Sequence, residues 1–212
     1  MIKYESLILG DLETNCYLVW DEEIKEGVVI DPADDGVGIS EEIQNKKINL
    51  VGVLLTHGHF DHTLGALDLK LIYKVPIYIH NKDTFLLDRQ DETAKYFLKR
   101  KIETPNIIKI DKDLEKIKEI KIGEEKLEVI LAPGHTPGSV CFYNKKNNLL
   151  FSGDTLFFGS RGRTDFKYGS TKNIFTSLKK LVKLPEETEV LSGHGEMTTI
   201  GTEKPRYKIH TI

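Results

Sequence analysis

The chain has 212 residues, and Lys+Arg 30 against Asp+Glu 33 leaves a net charge of -3, so no basic excess favours nucleic acid or an anionic membrane surface as a partner. One domain over residues 1–212 is expected, because no composition shift marks a linker and no apolar run reaches membrane-spanning length. Met1-Ile2-Lys3-Tyr4-Glu5 lacks the apolar core of a secretion signal, so a cytoplasmic protein acting on small molecules is expected.

Strand-like segments open the chain at Leu7–Leu9, Cys16–Trp20 and Gly27–Ile30 and read as a meander. A helix beginning at Ser40 leads into the apolar run Leu50–Leu55, giving a β-α-β step. Leu64, Leu67 and Leu71 recur at helical spacing, predicting one helix over Thr63–Tyr73, with Pro76 beyond it. The stretch Asp83–Ile120 is charged and less regular. An amphipathic helix through Ala94, Phe97, Leu98 and Lys101 is expected there, in a surface excursion over the site. Strands follow at Leu127–Leu131, Ser139–Tyr143 and Leu149–Ser152, with Asn147-Asn148 as a turn, then a helix over Thr171–Leu184 and a last strand at Val190–Ser192. Cys16 and Cys141 sit in apolar strand-like runs and are expected to be buried, inert thiols.

Between the strand Leu50–Leu55 and the following helix lies Thr56-His57-Gly58-His59-Phe60-Asp61-His62. A lone histidine is more often a satisfied core residue than a ligand. His57, His59, Asp61 and His62 within six positions have no packing purpose and point to a borderline metal such as zinc or iron. Three further ligand types stand after later strands: His135 in a Pro- and Gly-rich loop, Asp154 in Ser152-Gly153-Asp154-Thr155, and His194 in Ser192-Gly193-His194-Gly195. Any one of these alone reads as a turn residue; together they put five of the seven histidines in Gly-rich strand-end loops, leaving His80 and His210 as ordinary.

The ordered set His57-x-His59-x-Asp61-His62, His135, Asp154 and His194 resembles the metallo-β-lactamase superfamily, in particular its glyoxalase II-like hydrolases, along nearly the whole chain. The resemblance implies an α/β fold, a four-layered αβ/βα sandwich. It further implies that His57, His59 and His135 hold one divalent metal, that Asp61, His62 and His194 hold a second, and that Asp154 bridges them. Zinc is the expected metal, with iron and manganese as alternatives. Attack by a metal-bridging hydroxide, oriented by Asp61, on a thioester such as an S-acylglutathione would follow.

Arg163, in Gly162-Arg163-Thr164-Asp165, either takes a substrate carboxylate or pairs within its loop, while Lys167 and Tyr168 read as solvated surface. The chain departs from full-length glyoxalase II in having 18 residues after His194 (212 minus 194), so the helical domain that contacts glutathione is expected to be missing and the thiol carrier stays open. Two other readings compete. One is a mono-iron, persulfide dioxygenase-like oxidoreductase using His57, His135 and Asp154; the other is a non-catalytic metal-binding module. The sequence sets no oligomeric state.

Overall fold

The computed structural model describes residues 1–101 and 110–207. In chain order the first sheet is built from β1 (Ile2–Leu9), β2 (Thr14–Asp21), β3 (Glu26–Ile30), β4 (Asn49–Leu54), β5 (Ile77–Ile79) and β6 (Lys112–Asp113), each paired with its sequence neighbour. β1 to β3 form the antiparallel meander, and α1 (Gly36–Asn45) carries the chain over to β4, which lies parallel to β3. The helices that follow are α2 (Phe60–Thr63), α3 (Ala66–Tyr73), α4 (Thr84–Leu87) and α5 (Gln90–Leu98).

The second sheet contains β7 (Glu119–Ile122), β8 (Glu125–Leu131), β9 (Val140–Asn144) and β10 (Leu149–Gly153) as a meander. A small ribbon, β11 (Leu156–Phe157) with β12 (Ser160–Arg161), and α6 (Thr171–Leu181) then lead to β13 (Glu189–Ser192), which lies parallel to β10, followed by β14 (Thr198–Thr199) and α7 (Ile200–Tyr207).

Strand side chains alternate between faces, and here both faces are apolar. Cys16 and Leu18 of β2 pack outward with Ile39 and Ile43 of α1 and Leu69 of α3. Tyr17 and Val19, one residue out of step, face inward with Phe142 of β9 and Phe151 of β10. On the far side Cys141, Tyr143 and Leu150 pack under Ile174, Leu178 and Leu181 of α6 and Ile200 of α7. Three apolar interfaces make four layers, helix, sheet, sheet, helix, as the resemblance implied. Both cysteines are buried and unpaired.

The predicted helix over Thr63–Tyr73 is broken in two. Gly65 donates its N–H to Ala33 O (2.9 Å) instead of continuing α2, because the chain there docks against the end of β3. α5 stops at Leu98 and not at Lys101, since Lys99 turns into the left-handed region (φ 56°). α6 stops three residues short of Leu184, capped at Val182. β5, β6, β7, β11, β12, α4, β14 and α7 are not among the expected elements, being too short or too polar to show a period. Residues 102–109 of the expected excursion, and His210, lie outside the described residues. Among the described residues no helix is long and apolar enough to cross a membrane.

Candidate metal centre

Every ligand-type residue singled out in the sequence follows the carboxyl end of a strand. His57 and His59 lie in the loop after β4 and Asp61 and His62 in α2, while His135, Asp154 and His194 follow β8, β10 and β13. The first group comes from one sheet and the second from the other, and the two sets of strand ends meet at one edge of the sandwich. β2 joins them: Asn15 Nδ2 donates to Ser192 O and Gly195 O (both 3.0 Å) and Tyr17 OH to Ser192 O (2.7 Å), holding the His194 turn against the first sheet.

Two sets of donor atoms converge. In the first, His59 Nδ1 lies 3.0 Å from His57 Nε2 and 3.0 Å from His135 Nε2. In the second, His62 Nε2 lies 3.2 Å from His194 Nε2 and 3.5 Å from Asp61 Oδ2, and His194 Nε2 lies 3.3 Å from Asp61 Oδ2. Asp154 faces both: Oδ2 is 3.4 Å from His135 Nε2, and Oδ1 is 3.5 Å from His62 Nε2. Gly193 permits this approach, because a Cβ there would collide with Asp154 Oδ1 and lie 2.7 Å from His62 Cε1. Gly153, at φ +48°, turns the chain into Asp154, and a Cβ on it would lie 2.6 Å from Thr56 Cβ.

The second nitrogen of each ring is anchored. His135 Nδ1 donates to Arg163 O (2.9 Å), His194 Nδ1 to Leu12 O (3.0 Å) and His62 Nδ1 to the Asp31 carboxylate (2.9 Å). Thr56 gives its hydroxyl proton to Asp31 Oδ2 (2.6 Å), so at His57 Nδ1 (3.0 Å) the hydroxyl accepts and the ring donates. These four partners can only accept at that contact, which fixes the tautomers and leaves the Nε2 of each neutral ring as a lone pair facing the centre. His59 Nε2 contacts Tyr168 OH at 2.8 Å.

The centre therefore holds more acceptors than donors. His59 Nδ1 has at most one proton for its two neighbours, and the buried Asp154 Oδ1 has no hydrogen-bond partner among the described residues. Acceptors this close repel unless a cation stands between them, and ligands about 2.1 Å from a tetrahedral metal would be separated by about 3.4 Å. The donor set fits two metal ions, and the anchored rings are the arrangement that orients metal-binding imidazoles.

Electrostatics agree. Burial, then the neighbouring rings, hold His57 well below the ordinary imidazole range and His59 at about 3. Burial would also discharge His62, but Asp61, Asp154 and Asp31 outweigh it and push that ring up to about 10. Asp61 is held low against its burial by His62 and His194. Three carboxylates thus demand a positive charge, and without a metal His62 supplies it.

Four residues that sequence reasoning missed or misread complete the centre. Asp31 anchors His62 and accepts Thr56 N–H (2.7 Å) and its hydroxyl. Asp83 ties two ligand loops together, accepting from Gly58 N (3.1 Å), Thr136 Oγ1 (2.6 Å) and Gly138 N (2.6 Å). Thr56 stood only at the motif's edge. Tyr168, expected to be solvated surface, is half-buried on His59 and stacked on Phe166 (5.4 Å, 19°). A run Phe-x-Tyr at strand-like spacing beside the Arg163 loop was the available signal.

A cavity of about 310 Å³ opens over the centre, with His59, Asp61, His135, Asp154 and His194 on its floor and Leu12, Phe97 and Phe166 on its walls. Arg163 reaches its rim, but its fork is held by Asp165 (Nε to Oδ1 2.7 Å, Nη2 to Oδ2 2.6 Å) and lies over Phe166.

Residues 9–194 match the family model of the metallo-beta-lactamase superfamily. The hydroxyacylglutathione hydrolase GloC of Haemophilus influenzae is 38% identical over 197 residues, covering 91% of this chain and 90% of that protein. Among crystal structures, the BLEG-1 B3 metallo-beta-lactamase aligns with a TM-score of 0.88 at 35% identity over 96% of this chain and 97% of its own. TTHA1623, in a di-iron-bound form, aligns with a TM-score of 0.83 at 34% identity over 94% of this chain and 96% of its own.

Proposed function

This chain belongs to the metallo-β-lactamase superfamily of metallohydrolases, and from that premise we propose that it is a binuclear hydrolase of thioesters, S-acylglutathiones among them. The observation that carries the reading is the acceptor-rich centre, in which Asp154 presents one oxygen to each of two donor sets. His57, His59 and His135 would hold the first metal and Asp61, His62 and His194 the second, with Asp154 shared. Zinc suits this nitrogen-rich set, and the di-iron form of a similar protein makes iron the main alternative. A mononuclear iron oxygenase built on His57, His135 and Asp154 would leave Asp61, His62 and His194 converging to no purpose.

Bound metals would supply Lewis acidity, lowering the pKa of a water toward neutrality and polarising an acyl oxygen. The chain does the rest. Asp61, which accepts from Thr14 Oγ1 (3.4 Å), sits on the cavity floor, where its carboxylate can take a proton contact from the attacking water and aim it. Phe97 and Phe166 exclude bulk water from the cavity wall, strengthening every charge interaction inside. A thiolate is a weakly basic leaving group, so the reaction needs no strong acid. Arg163 can take a substrate carboxylate by exchanging its exposed, solvent-screened pair with Asp165.

Elemental analysis should give two metals per chain, and the metal-loaded protein should cleave members of a thioester panel that includes S-lactoylglutathione, without oxygen uptake. His59→Ala should abolish cleavage while the protein stays folded. One iron per chain with oxygen consumption would replace this reading with the oxygenase. Metal binding without turnover on any substrate would leave only a binding module.

A further inference from the structure

The cavity over the centre shares part of its lining with a second space. Thr93, Phe97, Arg163, Phe166 and Tyr168 also line a larger groove of about 1080 Å³, which has α5 and the residues before it on one side and the Arg163–Tyr168 loop on the other. The two spaces share these five lining residues, so a substrate whose reacting carbon lies over the centre has the groove between α5 and the Arg163–Tyr168 loop directly beside it for its outward end. The proposed reaction needs such a space for the leaving thiol and whatever is attached to it.

The chemistry of the groove is specific. Arg89, Lys95, Arg163 and Lys167 face two carboxylates, Glu92 and Asp165. Both carboxylates are already paired, Glu92 with Arg89 and Asp165 with Arg163. Lys95 on one wall and Lys167 on the other are exposed cations with no ion-pair partner among the described residues. Aromatic rings line the same walls: Phe85 meets Tyr168 edge-on (5.4 Å), and Tyr96, 67% exposed, presents a ring that no core residue covers. Lys99 adds a further cation 4.4 Å over the Tyr96 ring.

A cationic surplus beside exposed aromatic faces is how proteins take phosphates joined to a flat base. A tripeptide thiol fills this groove less completely, because it has no ring to stack, carries less negative charge than a polyphosphate, and is small enough for the inner cavity, which already lies within the ~300–1,000 Å³ that suits a drug-sized ligand. We infer that the groove seats the thiol carrier, and that this carrier ends in a polyanionic purine nucleotide, the chemistry of coenzyme A. The inference rests on the thioester reading above for the direction of the substrate, but not for the binding itself.

The test uses metal-loaded protein and desulfo-coenzyme A, which has no thiol to reach the metals, against S-methylglutathione, each titrated calorimetrically. Desulfo-coenzyme A should bind at least tenfold more tightly, and its affinity should fall as salt rises. Lys95→Glu with Lys167→Glu should weaken it at least tenfold. The same double variant should lower the ratio of kcat/KM for acetyl-coenzyme A to that for the acetyl thioester of N-acetylcysteamine, again at least tenfold. Equal or tighter binding of S-methylglutathione, or indifference of desulfo-coenzyme A to the double variant, would overturn the inference. Lysine-dependent nucleotide binding without cleavage of any thioester would keep the subsite and overturn the proposed hydrolysis instead.

Discussion

Asp31 is the support on which the second donor set depends, and Asp31→Asn isolates its contribution. The carboxylate takes Thr56 N–H on Oδ1 (2.7 Å) and both the Thr56 hydroxyl (2.6 Å) and His62 Nδ1 (2.9 Å) on Oδ2. Asparagine has one accepting oxygen. If it stays with Thr56 N–H, an NH₂ group stands where Oδ2 was and meets two donors. The His62 ring then does best to move its proton to Nε2, the nitrogen that faces the centre, and loses its lone pair there. The backbone adds no penalty, because Asp31 is left-handed (φ 50°) and asparagine tolerates that region. A buried hydrogen bond to a charged group contributes about 1.5–3 kcal/mol, which at about 1.4 kcal/mol per decade is roughly 10–100-fold in affinity. Loss of a partner behind a metal-binding histidine has an effect of the same size. The Thr56 hydroxyl, with no acceptor at residue 31, turns its proton to His57 Nδ1 and disturbs the first set too, so competitive chelator titration should find both metals weakened, the one held by His62 roughly 10–100-fold. Two metals bound with unchanged affinities by a variant whose circular dichroism is native would refute the tautomer argument.

Asp83→Ala strands Gly58 N and Gly138 N inside the protein, while Thr136 Oγ1 keeps Ser139 Oγ (2.7 Å), and at about 1–3 kcal/mol for each buried unsatisfied donor the expected destabilisation is about 2 kcal/mol or more, read from urea unfolding. Gly193→Ala forces Asp154 and His62 apart, so metal content should fall while stability drops by about 1–3 kcal/mol; full metal content with native stability would contradict the close approach. The metal-free protein should have a pronounced stability optimum in pH. His62, raised to about 10, contributes stability that is complete below the ordinary imidazole value of 6.5 and is lost as pH rises toward 10. His57 and His59, held low, act oppositely, so stability is also lost as pH falls below 6.5. Thermal unfolding of chelator-treated protein across pH 5 to 10 checks both limbs, and metal loading should flatten the alkaline one.

Much of the centre is legible in the sequence because its signals are local. A ligand-type side chain after an apolar strand, flanked by glycine, is visible in a few residues around His57, His135, Asp154 and His194. Apart from β7, the strands of the two meanders are legible for the same reason, since apolar runs such as Cys16–Trp20 and Leu149–Ser152 carry their own punctuation. The four-layer architecture came from resemblance to a family, and the segment pattern alone would not have produced it.

What local pattern could not carry was the partner of each side chain. Asp31 looked like the end of a strand and Asp83 like a loop carboxylate, yet they act on residues 31 and 53 positions away. Tyr168 looked like surface and lies on a histidine 109 positions away. The chain's residue types, taken in order, determined that ligand-type side chains stand at strand ends. Only the packing of two sheets decided which acceptor holds the far nitrogen of each ring, which lone pairs then face one another, and how the cavity comes to lie beside a cationic groove. Those are distances between segments remote in sequence, set by how apolar faces close against each other.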